Sequence, residues 1–199
     1  MVRAKPRPHR LLQMVAVLCI AASAGLGSAL ARANELVVGR AAPPLVLQTL
    51  DGRSIDTRDL LGQVVIVTFW ATWCEPCREE LPLFSRYAEQ HAAQGLQILG
   101  FSLDGPDQLP KVRNVASTLR FPVGLLGSAW AGGYGRVWSL PVSFVIDRDG
   151  RLVYNGWEDP DPVWTEERLH RIVDPLIAAN RQMRDSARTT AAPIETHAH

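Results

Sequence analysis

The run Gln63–Trp70, QVVIVTFW, is β-branched and aromatic without polar alternation, and it feeds almost directly into Trp73-Cys74-Glu75-Pro76-Cys77. An apolar run of this kind is a strand buried on both faces, so the chain must fold as a sheet covered on each side. Beyond it, Cys77, Leu81, Phe84, Ala88 and Ala92 recur near helical spacing and predict a helix from about Cys74 to Ala93, closed before Gly95 and kinked at Pro82. The two cysteines thus stand where a central strand turns into a helix. A helix N-terminus offers unpaired N–H groups and the positive end of the dipole, which stabilise an anion. A thiolate is such an anion, and a second cysteine one turn later suits thiol-disulfide exchange.

The remaining pattern fills in a sheet. Residues 45–57 alternate apolar and polar around Asp51-Gly52, a hairpin signal. Residues 96–103 read as a second buried strand and 107–119 as a helix despite Pro110, followed by a short FPVGLL segment and the Gly-rich WAGGYGRVW. Strands are expected at 142–147 and 151–157 around Asp149-Gly150, then a helix from Val163 to Asn180 interrupted by Pro175. This order predicts an α/β fold, a mixed sheet with helices on both faces.

The 199 residues, 47% hydrophobic, suit one globular domain with appendages. The formal charge of +1 divides into +5 over residues 1–33, which contain no acid, and −4 over the rest, where Lys111 is the only lysine. Without a basic stripe to neutralise phosphates, no nucleic-acid partner is expected. The cationic start MVRAKPRPHR, the apolar stretch around Leu11–Ala31 and the Ala31-x-Ala33 ending read as a signal peptide or as an uncleaved membrane anchor. Either one exports the remainder. The expected organisation is therefore 1–33 targeting segment or tether, 34–180 folded domain and 181–199 polar tail. Cys19 lies in the apolar stretch, so the exported part holds only Cys74 and Cys77. In an oxidising compartment such a pair is a structural disulfide, half of a metal site or a redox centre.

The segment FWATWCEPCREELP, Phe69–Pro82, resembles the TlpA/ResA-type branch of the thioredoxin-like family, with its W-C-x-P-C-x-x-E-x-P signature. Every fixed position is present, and the likeness runs over about 39–178, including the Leu140–Asp147 segment. The resemblance implies a thioredoxin-like three-layer fold with an N-terminal β-hairpin, and a proline at 141 that is cis and faces the cysteines. It implies catalytic roles for Cys74 as exposed nucleophile, Cys77 as buried resolving thiol and Glu80 as proton acceptor. Substrate contacts are implied at Trp73, Glu75, Pro76, Leu140 and Pro141, and Glu75 places a negative charge against the helix dipole beside Cys74. Thr68 stands where cytosolic thioredoxins carry a buried Asp, and Val67 and Ala71 stand where a peroxiredoxin needs Pro and Thr or Ser.

What the resemblance implies in function is a periplasmic protein-disulfide reductase, soluble or tethered to the inner membrane. Its clients would be exported proteins with cysteine pairs, of the apocytochrome c or cytochrome oxidase copper-site type, and its electron donor a membrane thiol relay. No cofactor beyond a redox-active Cys74–Cys77 disulfide and no metal is implied, since zinc would need two further ligands. The rivals are an oxidase or isomerase using the same cysteines, and a thioredoxin-fold module that binds copper or a partner. His91 and His170 read as surface residues, and His197-Ala-His199 as part of an inert tail.

Overall fold

In the computed structural model, which describes residues 36–179, the apolar run is β3 (Val64–Trp70), buried at every position. It lies at the centre of a five-stranded sheet ordered β5-β4-β3-β6-β7, comprising β4 (Leu96–Ser102), β5 (Val123–Leu125), β6 (Val142–Ile146) and β7 (Leu152–Asn155). β3, β4 and β5 run parallel, whereas β6 is antiparallel to both β3 and β7. A separate hairpin pairs β1 (Val46–Gln48) with β2 (Ser54–Asp56) in the register Val46 to Asp56. The α-helices with both ends among the described residues are α1 (Glu75–His91), α2 (Leu109–Ala116) and α3 (Glu166–Ile172). The targeting segment expected over 1–33 and the tail expected over 181–199 lie outside the described residues.

Side chains of β3 alternate between two cores because successive Cβ atoms point to opposite faces. Val64, Ile66 and Trp70 join the helices' Leu81, Phe84, Val112 and Leu169, whereas Val65, Val67 and Phe69 meet Leu47, Tyr134 and Phe144. The topology explains the division. The crossovers β3-α1-β4 and β4-α2-β5 step in the same direction across the sheet, so right-handed connections place both helices on one face. The chain then returns to β6 along the opposite face, where strand β1 and the 3-10 turns Thr57–Leu60, Gly132–Tyr134 and Gly156–Glu158 provide the cover. The three named α-helices thus lie on one face, and among the described residues the helical cover of the other is 3-10 only. Phe84 is fully buried and meets Trp164 with ring centroids 5.8 Å apart, so its truncation to Ala would cost roughly 3–5 kcal/mol.

Several boundaries differ from the sequence expectation for identifiable reasons. α1 tightens into a 3-10 turn, Ala92–Gln94, and stops at Gly95, whose φ of 83° is open to glycine at little cost. β7 ends at Asn155, whose side chain caps a 3-10 turn by accepting from Trp157 N, and a Cβ at 156 would lie 2.3 Å from the Ser143 carbonyl oxygen, so glycine is required there. α3 begins only at Glu166, because Trp164 spends its backbone N–H on Glu80 and Thr165 is the N-cap. The interruption falls at Val173, and helical residues resume over 174–179 with Pro175 in their first turn, where its missing N–H costs nothing. FPVGLL supplies the edge strand β5.

Candidate active site

The antiparallel pairing of Phe69 with Val142 sets the start of β6 beside the end of β3. Pro141, buried and joined to Leu140 by a cis peptide bond, therefore stands at the same edge of the sheet as the turn that leads from Trp70 to Cys74. Leu140 is half-buried and packs against both cores.

The turn is held from below. Asp104, only 3% exposed just beyond β4, accepts from Thr72 N at 2.8 Å, Thr72 Oγ1 at 2.6 Å and Ser102 Oγ at 2.7 Å. Cys74 N donates to Ala71 O at 3.1 Å, which closes the turn. Cys74 is then the N-cap of α1, with its Sγ accepting from Cys77 N at 3.3 Å, and Pro76 occupies the first turn, where no N–H is missed. The two cysteines form a disulfide with Cα atoms 5.3 Å apart. Cys74 is 6% exposed and Cys77 1% exposed. The expected exposed nucleophile is thus corrected: the Cys74 sulfur is turned inward toward the helix N–H and its partner sulfur, and it is the less covered of two covered atoms. Trp73, 68% exposed, together with Glu75 and Pro76, surrounds it at the surface.

Glu80 lies one turn further along α1 and is 3% exposed. Its Oε1 accepts from Trp164 N in a short hydrogen bond. Burial dominates and pushes its carboxyl up from 4.5 to about 8, against the opposing pulls of that hydrogen bond and of Arg168. Beneath α1, Thr68 Oγ1 accepts from Ser143 Oγ at 2.9 Å, so the place that cytosolic thioredoxins give to an Asp holds a neutral, satisfied pair.

The structure therefore brings Trp73, Cys74, Glu75, Pro76, Cys77, Leu140 and Pro141 to one edge of the sheet, with Glu80 below. It also shows groups that sequence reasoning missed. Asp104 had one usable signal, an acid directly after a buried parallel strand, at the edge where such sheets place their sites. Trp164, 84 positions from Glu80 in sequence, had none. Among the described residues no group of three or more His, Cys, Asp or Glu is arranged to hold a metal ion, and no helix is long and apolar enough to cross a membrane.

A thioredoxin-like sheet carrying a Cys-x-x-Cys disulfide at a helix N-terminus defines a thiol-disulfide oxidoreductase, and comparisons with known proteins agree. The AhpC/TSA family profile matches residues 38–155. A thiol-disulfide oxidoreductase ResA of Bacillus thuringiensis (strain Al Hakam) is 35% identical over 153 residues, spanning 74% of this chain and 87% of that protein. The crystal structure of a thiol:disulfide interchange protein of the thioredoxin family from Chlorobium tepidum TLS is 29% identical with a TM-score of 0.56, covering 69% of this chain and 95% of the other. A DsbE-like thiol:disulfide interchange protein from Chlorobium tepidum superposes with a TM-score of 0.61 at 25% identity, over 72% of this chain and 99% of that one. The chain belongs to the AhpC/TSA thioredoxin-like family, and within it is homologous to the ResA thiol-disulfide oxidoreductases.

Proposed function

We propose that the protein works on the periplasmic side of a membrane, free or tethered through residues 11–31, as a reductase of disulfides in exported clients of the cytochrome c or cytochrome oxidase maturation type. The observation that carries this reading is the disulfide at the start of α1, beside the Leu140-Pro141 segment, with a buried carboxyl one turn below. In the reduced enzyme the Cys74 thiolate attacks a client disulfide, forming a mixed disulfide and expelling one client thiolate, which takes up a proton. Cys77 then gives its proton to Glu80 and attacks the Cys74 sulfur. This closes the Cys74–Cys77 disulfide and releases the second client thiolate, to which Glu80 returns the proton. The enzyme loses two electrons and the client gains them. A carboxyl poised near 8 can both accept and return a proton close to neutral pH.

The reductive direction rests on Glu75. An acid exposed at the first helical position beside Cys74 opposes the positive helix end and disfavours the thiolate. A less stabilised reduced form is a stronger reductant. Trp73, Pro76, Leu140 and Pro141 would receive the client chain, and a membrane thiol relay would restore the dithiol. The reading is tested by the reduction potential together with trapping: a potential near that of thioredoxin, about −270 mV, and a Cys77→Ser variant carrying client proteins on Cys74 are expected. A potential near about −120 mV, or a trap that recovers only glutathione, would overturn it.

A further inference from the structure

A groove of about 420 Å³ opens beside Pro141, between the end of the return loop and the 3-10 turn Gly156–Glu158. One wall is aromatic. Trp157 is fixed from behind, its Nε1 donating to Tyr134 O at 2.9 Å and its ring meeting Phe144 edge-on at 5.8 Å. Trp138 stacks on it with centroids 5.3 Å apart and planes 18° from parallel, yet remains 74% exposed. An indole held flat against a fixed neighbour while its other face stays in water is a surface waiting for a partner.

The acidic side chains that line the groove come from the same turn and the residue after it. The groove is lined by Glu158 and Asp159 and by no Lys or Arg. Asp159 is already engaged, accepting from Tyr154 OH and Arg168 Nη1 at 2.8 Å each and from Asp161 N at 2.9 Å. Glu158 is different: its one hydrogen bond is from Asn155 Nδ2 at 3.0 Å, and no cation pairs with it among the described residues. A carboxylate with no cation partner among the described residues, lining the same groove as an open indole, is the combination that selects a cation, by charge and by cation-π contact.

We propose that this groove selects client segments in which a Lys or Arg flanks the reactive cysteine, with Trp138 and Glu158 as the specificity-determining residues. The proposal rests on the reductase reading and names the class of client chain that it favours. A client cysteine bonded to Cys74 sets its backbone alongside Pro141, and a residue or two of extended chain, at about 3.3–3.6 Å each, carries a neighbouring side chain to the groove. The formal −4 of residues 34–199 favours the same encounter at longer range.

The test compares two disulfide-bridged peptides that differ only in bearing Lys or Glu next to the cysteine, with hydroxyethyl disulfide as a small substrate that cannot reach the groove. The readout is the ratio of kcat/KM values for the two peptides with the full-length chain, which does not depend on the fraction of enzyme folded. The expected preference for the Lys peptide is about tenfold at low ionic strength, shrinking with salt. In Trp138→Ala combined with Glu158→Gln the ratio should fall to within about twofold, and in Glu158→Lys it should invert. A ratio near one in the wild type, or one that survives both variants, overturns the groove assignment while turnover of hydroxyethyl disulfide leaves the reductase reading standing. Failure on all three substrates overturns the reductase reading, and this proposal with it.

Discussion

Glu80→Gln provides a quantitative test of the buried carboxyl through the pH dependence of stability. The folded protein holds the Glu80 proton to about pH 8, whereas the unfolded chain releases it near 4.5. Folding therefore takes up a proton within that window, and stability falls as pH rises, by about 1.4 kcal/mol per unit. The contribution is fully present below about 4.5 and lost above about 8, because both states are then ionised. Relative to the glutamine variant, which does not titrate, the wild type should lose about 1 kcal/mol by pH 5, about 3 by pH 7 and about 5 by pH 9. Glutamine still accepts from Trp164 N through Oε1. Its amide adds a buried donor with a cost of about 1–3 kcal/mol, which offsets the curve without tilting it. The assay is urea unfolding of both oxidised proteins at the three pH values, with every other titrating group cancelling in the difference. A wild-type minus variant difference that stays level within about 0.5 kcal/mol from pH 5 to pH 9 would refute a neutral Glu80, and with it the proton acceptor in the catalytic cycle.

Two further predictions concern the turn that carries Cys74. Asp104→Ala leaves Thr72 N and the Thr72 and Ser102 hydroxyls without their acceptor, so the oxidised protein should lose about 2–4 kcal/mol in urea unfolding and Asp104→Asn less; equal stability of Ala and wild type would deny the clamp. Glu75→Gln removes the negative charge beside the nucleophile, so the thiolate absorbance of Cys74 in the reduced protein should grow at lower pH than in the wild type; an identical titration would remove the electrostatic basis for the reductive direction.

The parts of the fold legible in the sequence are those set by local pattern. Strand β3 showed itself as an apolar run and α1 as a periodic stripe, and the β1–β2 hairpin was announced by Asp51-Gly52, because each is fixed by residues close in the chain. The unequal covering of the two faces was not legible. It follows from the direction in which the crossovers step, and the second face is covered in part by a 3-10 turn whose WAGGYGRVW sequence has no helical period. The start of α3 was misplaced for a related reason: Trp164 looks like a helix residue until its N–H is found bonded to a carboxylate on another helix. At the site, the motif carried the cysteines and Glu80, but the motif is silent about Asp104, which acts on Thr72 across two strands.

The same long-range contacts explain how this site does without the buried Asp of cytosolic thioredoxins. A carboxylate at Thr68 would sit under α1 against the Ser143 hydroxyl, in a layer where Val67 and Phe69 on one side and Val145 on the other offer no cation. Here that layer is closed by a neutral hydroxyl pair, and the buried carboxyl stands on α1 instead of β3, at Glu80, where a backbone N–H from the segment before α3 meets it. That segment also supplies Pro160 and Pro162 to the groove beside Pro141. One stretch of chain, 160–164, thus lines the groove beside Pro141 and makes the hydrogen bond that favours the ionised Glu80. Any displacement that lengthened the Trp164 N–H contact would raise the Glu80 pKa further, since desolvation would then act with less opposition. The segment before α3 therefore touches both the groove beside Pro141 and the buried Glu80 carboxyl, whereas a thioredoxin with its acid on β3 carries that carboxyl on the sheet itself.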